Sequence, residues 1–380
     1  METASPFRCF ATCARGLESV LADELIAIGA SDVSEGRGGS SFSGDLGTIY
    51  KANLCLRTAF RVLRLIFEST VTSPEELYEA VQTIDWAEYM TPDHTLAVDC
   101  NVRDSALTHS KYAALKTKDA ICDWFVERQG SRPSVDVNEP MVGLNLHVYR
   151  NQAVLSLDSS GMSLHKRGYR TVLHKAALNE ALAAGLLMLS GWDRESPLVD
   201  PLCGSGTFLI EGAWLALNRP PGLTRKRFGF QGWLDFDRGL WNAIRDEARD
   251  GIEGGLGSTI LGTDNRKDVL SLARSNAKAA GCGHALTFQK RELADFEPPI
   301  DTPGLLICNP PYGERIGDEK QLRGLYRLLG TVLKERFQGW RAVIFTANNN
   351  LARQIGLTPS ERIALYNGKI SCQLLQYDLE

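Results

Sequence analysis

The sequence predicts an α/β protein: a doubly wound sheet in the C-terminal half, preceded by a mixed α+β region. Three observations carry this. From about residue 170, short apolar runs alternate with helical patterns, as strands covered by helices on both faces do. Before residue 160 the strand candidates instead alternate apolar and polar residues, the mark of half-buried strands. Finally, 380 residues exceed what one hydrophobic core usually supports, so two or three domains are expected.

In chain order, Phe7–Ala11 reads as a strand and Leu17–Ile28 as a helix. The glycine-rich Gly36–Gly39 follows, Ser41–Phe42 leads into Asp45, and Leu46–Leu56 reads as helical. Lys111–Arg128 has helical spacing, with Ala114, Ile121 and Phe125 on one face. Val135–Asn138, Val142–Tyr149 and Ala153–Asp158 read as strands, the last two joined through Arg150-Asn151-Gln152, a link of hairpin length. The buried strands of the C-terminal half are expected at Pro197–Asp200, Thr259–Thr263, Leu286–Gln289, Gly304–Cys308 and Arg341–Thr346, with helices over Phe208–Leu217 and Lys267–Ala280. These patterns divide the chain at 1–65, 66–160 and 170–380. The two halves are expected to be separate cores meeting near Leu164–Arg170, and residues 219–257 form an insertion without an evident role.

Composition excludes several classes. Hydrophobic residues make up 43% and charged residues 23%, an ordinary globular mix, and no run approaches the roughly 20 apolar residues of a membrane helix. Met1–Arg8 lacks the cationic start and apolar core of a secretory signal, so a cytoplasmic protein without membrane association is expected. The nine cysteines never form a CxxC pair, which argues against a disulfide framework and a zinc site, and no metal is expected. A net charge of −4 does not announce a nucleic-acid binder, so any such contact must use local clusters. Lys166, Arg167 and Arg170 form one candidate cluster and Arg225, Lys226 and Arg227 another; solvated surface charge is the bland alternative for each.

The chemistry concentrates in three segments. Leu198-Val199-Asp200-Pro201-Leu202-Cys203-Gly204-Ser205-Gly206-Thr207 runs strand, glycine turn, helix. Ligands of such sheets sit beyond the carboxyl ends of the strands, where glycines let them approach the backbone. The turn lacks the Lys-Ser/Thr of a phosphate loop and the third glycine of a dinucleotide fingerprint. In Leu261-Gly262-Thr263-Asp264-Asn265 a strand ends on an acid, placed to accept hydrogen bonds from ribose hydroxyls; Asp264 or Asn265 could equally be a helix N-cap. Third, the buried strand Leu305–Cys308 runs into Asn309-Pro310-Pro311-Tyr312-Gly313. The prolines stiffen the turn and remove two donors, leaving the Asn309 side-chain oxygen and the Pro310 carbonyl as acceptors beside the Tyr312 ring. Two acceptors can align the two N–H groups of a planar amine and turn its nitrogen toward an incoming methyl, and an aromatic ring can stack on an extruded base.

Asp200–Thr207 and Asn309-Pro310-Pro311-Tyr312-Gly313-Glu314-Arg315 resemble the class I amino-methyltransferases, and Leu164-His165-Lys166-Arg167-Gly168-Tyr169-Arg170 resembles the junction that follows a THUMP domain. The resemblance covers nearly the whole chain and is nearest to the guanine-N2 methyltransferases of bacterial large-subunit rRNA, with tRNA guanine-N2 enzymes similar. It implies a ferredoxin-like segment over 1–65, a THUMP RNA-binding domain over 66–160 and a Rossmann-like class I methyltransferase domain over 170–380, with S-adenosylmethionine as cofactor and structured RNA as partner. It further implies that Asp200, Cys203, Gly204, Gly206 and Thr207 border the cofactor, that Asp264 and Asn265 hold its ribose end, and that Asp295 lies near its adenine. Asn309, Pro310, Pro311 and Tyr312 would form the reaction site, and Lys166, Arg167 and Arg170 would meet RNA. Some relatives carry a second methyltransferase domain beyond the point where this sequence stops, so its activity is not expected here. The expected reaction is methylation of guanine N2 in 23S rRNA; a tRNA target, an adenine-N6 or protein-glutamine methyltransferase, and a non-catalytic RNA-binding factor are the alternatives. The oligomeric state is left open.

Overall fold

The computed structural model describes residues 6–170, 178–313 and 318–380. Residues 1–5, and Glu314 and Arg315 of the motif quoted above, lie outside that set.

The N-terminal half folds around one eight-stranded sheet. Its elements are β1 (Phe7–Cys13), α1 (Glu18–Ala27), β2 (Ser31–Gly36), β3 (Gly39–Gly44), α2 (Leu46–Cys55), β4 (Ala59–Thr70), α3 (Pro74–Gln82), β5 (Thr95–Arg103), α4 (Ser110–Gln129), β6 (Ser134–Val135), β7 (Val142–Tyr149) and β8 (Gln152–Asp158), with strand order β2-β3-β1-β4-β8-β7-β5-β6. Local chemistry sets the boundaries. Asp45 accepts the Thr48 amide at 2.8 Å and starts α2; Ser73, followed by Pro74, starts α3 in the same way. The β7–β8 link is a two-residue turn with Arg150 and Asn151 both at positive φ, 49° and 66°, the geometry that suits a twisted hairpin. Strand β4 joins the two sides of this one sheet: it pairs with β1 from Ala59 to Arg64 and with β8 from Leu63 to Thr70, so a boundary drawn at residue 65 falls inside one unbroken strand.

Two expectations are corrected here. The strand proposed over Val135–Asn138 ends at Val135, because the Asp136 side chain accepts the amides of Asn138 and Glu139 and turns the chain away. On α4 the buried stripe includes Ala113, Thr117, Ile121 and Phe125, whereas Ala114 is only half-buried.

The C-terminal half contains α5 (Glu180–Leu189), β9 (Leu198–Asp200), α6 (Thr207–Ala216), α7 (Arg238–Asp250), β10 (Ile260–Asp264), α8 (Lys267–Ala279), β11 (Leu286–Lys290), β12 (Leu305–Cys308), α9 (Asp318–Arg336), β13 (Arg341–Thr346), β14 (Glu361–Asn367) and β15 (Ile370–Asp378). The order is β11-β10-β9-β12-β13-β15-β14; the first five strands are parallel, and β15 runs antiparallel to both β13 and β14. Every residue of β9 and β12 is buried, which is why these runs carry no polar alternation. The chain reverses its winding between β9 and β12, so the carboxyl ends of those strands frame the crevice where such sheets bind ligands.

The halves are not separate cores. One apolar cluster runs from Cys9 and Leu17 through Tyr50 and Val142 to Leu182, Trp214, Phe230 and Leu374. The insertion braces this union. Its Tyr50-facing ring set, Phe230 with centroid 4.4 Å from Tyr50 and Trp241 at 5.9 Å, joins it to α2, and the Asp237 amide donates to the Tyr50 hydroxyl at 3.0 Å. Two of its glycines permit the contact: a Cβ on Gly229 would lie 2.3 Å from the Asp158 carbonyl oxygen and one on Gly232 2.1 Å from that of Met141. The expectation of two independent halves therefore fails because the glycine-rich insertion lies backbone-to-backbone on the N-terminal sheet.

Candidate active site

At the end of β9, Asp200 is 2% exposed and accepts the Leu202 amide at 3.0 Å, which folds the chain back over the strand end. Burial, reinforced by the charge of Asp264, lifts its carboxyl to about 8, while the Leu202 bond pulls the other way. The glycine turn is tied to the neighbouring strand twice: the Cys203 amide donates to the Thr263 carbonyl at 2.9 Å and the Gly204 amide to Asp264 Oδ2 at 3.2 Å. Gly204 has φ +49°, and a Cβ there would meet nothing within 4 Å, so this backbone faces open space. Gly206, at φ +79°, is required for a different reason, since a Cβ would press on Ala273 and Phe288 at 3.2 Å.

Asp264 does not cap α8. Its Oδ1 accepts the Arg266 amide at 3.0 Å, and the capping position belongs to Arg266, which provides no side-chain cap. Asp264 instead joins β10 to the glycine turn. Asn265 is exposed and reaches Glu292 at 3.3 Å, while Asp295 is exposed in the short 3-10 turn Leu293–Asp295 after β11. Cys203 is buried, with its Sγ turned against Gly262, and burial pushes its thiol far up. Thr207 opens α6 and receives Arg170 at 3.0 Å.

Across the crevice, β12 delivers Asn309 and Pro310. Asn309 Oδ1 is buried and accepts no hydrogen bond from the described residues, an orphan acceptor that burial makes costly unless a ligand donor satisfies it. Pro310 is buried and Pro311 exposed; Tyr312 is half-buried, its carbonyl receiving Asn348 at 3.4 Å.

The expected basic cluster takes another form. Arg167 is 1% exposed, donates to the carbonyls of Leu164 (2.9 Å) and Arg57, and lies 3.6 Å from Glu211 Oε1. Arg170 pairs with Glu180 at 3.2 Å and also donates to the Leu178 carbonyl. Of the three, Lys166 alone is exposed. Arg225 likewise points inward, donating to the carbonyls of Ser160, Met162, Ser163 and Lys166. Arg167, buried, and Arg170, partly buried, are thus corrected from RNA contacts to inward-turned struts: charges drawn out of water need partners, and a carboxylate faces each of them.

Four residues that no sequence motif marks also hold the site together. Asn276 on α8 donates to the Ser205 carbonyl at 3.1 Å and holds the glycine turn from below. Glu180 and Glu211 are buried carboxylates that answer the arginines, and Asn348 steadies Tyr312. A polar residue on the buried face was the available signal: Glu180 and Glu211 on the apolar helices α5 and α6, and Asn276 in line with Leu270, Ala273 and Ala277 on amphipathic α8. Among the described residues no group of three His, Cys, Asp or Glu could hold a metal ion, and no helix is long and apolar enough to cross a membrane.

Comparison with known proteins gives three family matches: an RMKL-like methyltransferase domain at residues 167–376, a THUMP domain at 71–158 and an RlmL ferredoxin-like domain at 8–63. The chain is 46% identical over 384 residues to a protein of Syntrophotalea carbinolica named ribosomal RNA large subunit methyltransferase K/L, covering 99% of this chain and 54% of that protein. It thus spans about half the length of several curated relatives it matches, with shares of 51–54% among those bearing that name. A putative RNA methyltransferase of Synechocystis sp. is 43% identical over 99% of this chain and 97% of its own length. A crystal structure of a putative methyltransferase complexed with SAH superposes with TM-score 0.91 at 32% identity, covering 100% of this chain and 99% of that one.

Proposed function

The chain belongs to the family that joins a ferredoxin-like and a THUMP domain to an RMKL-like methyltransferase domain, and from that premise we propose that it methylates the exocyclic N2 of a guanine in 23S rRNA, in the cytoplasm. The observation that carries the reading is the buried Asn309 Oδ1, without a donor among the described residues, at the carboxyl end of β12 where the sheet reverses its winding.

The residues fit S-adenosylmethionine. Gly204 keeps an open backbone that a Cβ would fill, and Asp200 and Asp264 place two carboxyls at the strand ends beside it. Bound there, the cofactor would supply an electrophilic sulfonium methyl; as an amine nitrogen took it, the carbon–sulfur electron pair would pass to sulfur and the surplus N–H proton would leave to water. Asn309 Oδ1 and the Pro310 carbonyl each accept one N–H of the amine, which fixes the nitrogen's direction and draws its lone pair out of the ring. Tyr312 stacks on the extruded base. Asp264, anchored to Gly204, accepts from the ribose, and the Arg170–Thr207 and Asn276–Ser205 bonds keep the turn from collapsing into the open space. Alignment of nucleophile and methyl carries much of the rate.

Labelled S-adenosylmethionine incubated with unmodified rRNA and, separately, tRNA decides the reading once the products are digested to nucleosides. Label in N2-methylguanine from the large-subunit RNA is expected. Label in N6-methyladenine overturns the base, and label confined to tRNA overturns the target.

A further inference from the structure

A second cleft of about 480 Å³ opens where the N-terminal sheet meets the catalytic domain. Phe60 and Arg61 at the start of β4, His165 in the joint, Asn179 before α5, and Tyr366 and Asn367 at the end of β14 line it. None of Asp200–Thr207, Asp264 or Asn309–Tyr312 does. Yet it lies on the same side of the sheet as they do. β12 and β13 are parallel, β15 runs against β13, and β14 runs against β15; the carboxyl end of β14 therefore points the way β12 points. Asn179 also precedes Glu180, whose partner Arg170 bonds Thr207 in the glycine turn. The cleft is a neighbour of the crevice, built half from each domain.

Its chemistry is neutral. Arg61 is committed to Asp158 and to the Gly161 carbonyl. His165 shares a 2.7 Å hydrogen bond with Ser163, and burial, aided by the surrounding arginines and Lys166, holds its ring down at about 4, uncharged at neutral pH. What faces the space is aromatic and amide surface: Phe60, set edge-to-face on His165 at 5.8 Å, the Tyr366 ring under the Arg15 guanidinium at 4.1 Å, and the amides of Asn179 and Asn367. Arg61, the one arginine among the lining residues, is already compensated, and the exposed Arg15 over Tyr366 is not part of the lining, so a phosphate would find no uncompensated cation within the cleft itself. A planar base would find ring faces and hydrogen-bond groups, the combination by which single-stranded RNA is read. The volume falls within the range of small-molecule pockets, about 300–1,000 Å³.

We propose that this cleft takes an unstacked base of the substrate RNA, a nucleotide near the one delivered to Asn309, and so sets which extruded strand reaches the reaction site. The inference rests on the RNA-methyltransferase reading above. An enzyme that extrudes one base must also seat the strand it disturbs, and the shared core between the domains places this seat beside the crevice.

The test compares Tyr366→Leu with Tyr366→Phe in the full chain, using unmodified 23S rRNA as probe. The Leu variant should raise both KM and Kd for rRNA roughly tenfold, as loss of one base stack does, while Phe stays near wild type. Turnover at saturating RNA and S-adenosylmethionine affinity should not change, and neither should the salt slope of RNA binding, because stacking releases no counterion. Wild-type KM and Kd in a Leu variant of normal melting temperature overturn the proposal; so does a salt slope reduced by about one, which would mean a phosphate contact. Should Tyr366→Leu melt early, Asn367→Ala bears the same expectation. Failure of the parent reading looks different: if the wild type labels tRNA and not rRNA, the target falls and the same variants are compared on tRNA.

Discussion

Asn309 is the residue on which the chemistry turns. No donor among the described residues reaches its buried oxygen, so the protein bears a desolvation cost in the free state that a substrate amine removes. Asn309→Ala should abolish most turnover, on the order of 100-fold or more, and leave S-adenosylmethionine affinity nearly intact. Stability should hold or rise slightly, since no hydrogen bond is lost. Near-normal turnover from folded protein would remove the amine-orienting role. Asp200 makes a prediction about pH. Its folded carboxyl titrates near 8 against 3.8 for an ordinary one, so between those values the folded chain keeps a proton that the unfolded chain sheds. Stability therefore falls as pH rises through that window and levels off above it. Asp200→Asn preserves an acceptor for Leu202 and has no proton to lose. Its melting temperature relative to wild type should climb from pH 5 to pH 8 and then stay flat. A constant difference would show that the carboxyl is not held protonated. Since a cation beside Asp200 favours its ionised form, cofactor affinity of the wild type should rise across the same window, and that of the variant should not.

The joint between the domains is the element where local sequence misled. Leu164–Arg170 has the look of a basic surface run, but Arg167 and Arg170 turn inward to Glu211 and Glu180. Nothing within the run announces those partners, because they come from the first turn of α5 and the middle of α6, 10 and 44 residues further along. The strands of the catalytic sheet were legible for the opposite reason. β9, β10, β12 and β13 are short apolar runs set off by turns, and their pattern needs no knowledge of what lies beyond. The glycine turn and Asn309–Tyr312 were legible because their chemistry is contiguous. β14 and β15 went unread: Glu361–Asn367 is the edge strand and mostly exposed or half-buried, and Ile370–Asp378 beside it carries Gln373 and Gln376 among its apolar residues, so neither reads as an uninterrupted apolar run. If the joint is a strut, Arg167→Ala leaves the buried Glu211 carboxylate with the neutral Tyr169 hydroxyl but without its guanidinium partner and should cost about 3–5 kcal/mol of stability. Lys166→Ala, at an exposed position, should cost almost nothing. Thermal or urea unfolding of both variants separates the two. An Arg167→Ala protein that melts like wild type yet loses a unit of RNA salt slope would restore the residue to the surface.

At the scale of the whole molecule, the shared core decides how the chain can be cut. Independent halves would allow residues 161–380 to fold and bind cofactor alone. The structure argues otherwise. The Leu17 side chain sits against Gly185 of α5, where a Cβ would be 2.4 Å away, and the loop after β1 lies on β14, with the Tyr366 amide donating to the Arg15 carbonyl at 3.1 Å. Tyr50, fully buried, is the ring on which Phe230 and Trp241 rest. Removing residues 1–160 takes away these surfaces together and bares the brace between α6 and β10. Each lost large side chain costs roughly 2–5 kcal/mol, and a few such losses exceed the 5–15 kcal/mol that keeps a protein folded. The fragment 161–380 should therefore aggregate, or show no cooperative melt and no S-adenosylmethionine binding, whereas the full chain should unfold with its two sheets lost in one transition. A soluble fragment with a cooperative transition and wild-type cofactor affinity would show that the union of the halves is only a docking contact. The full-length chain would then be expected to unfold in two steps, which calorimetry on the intact protein reads directly.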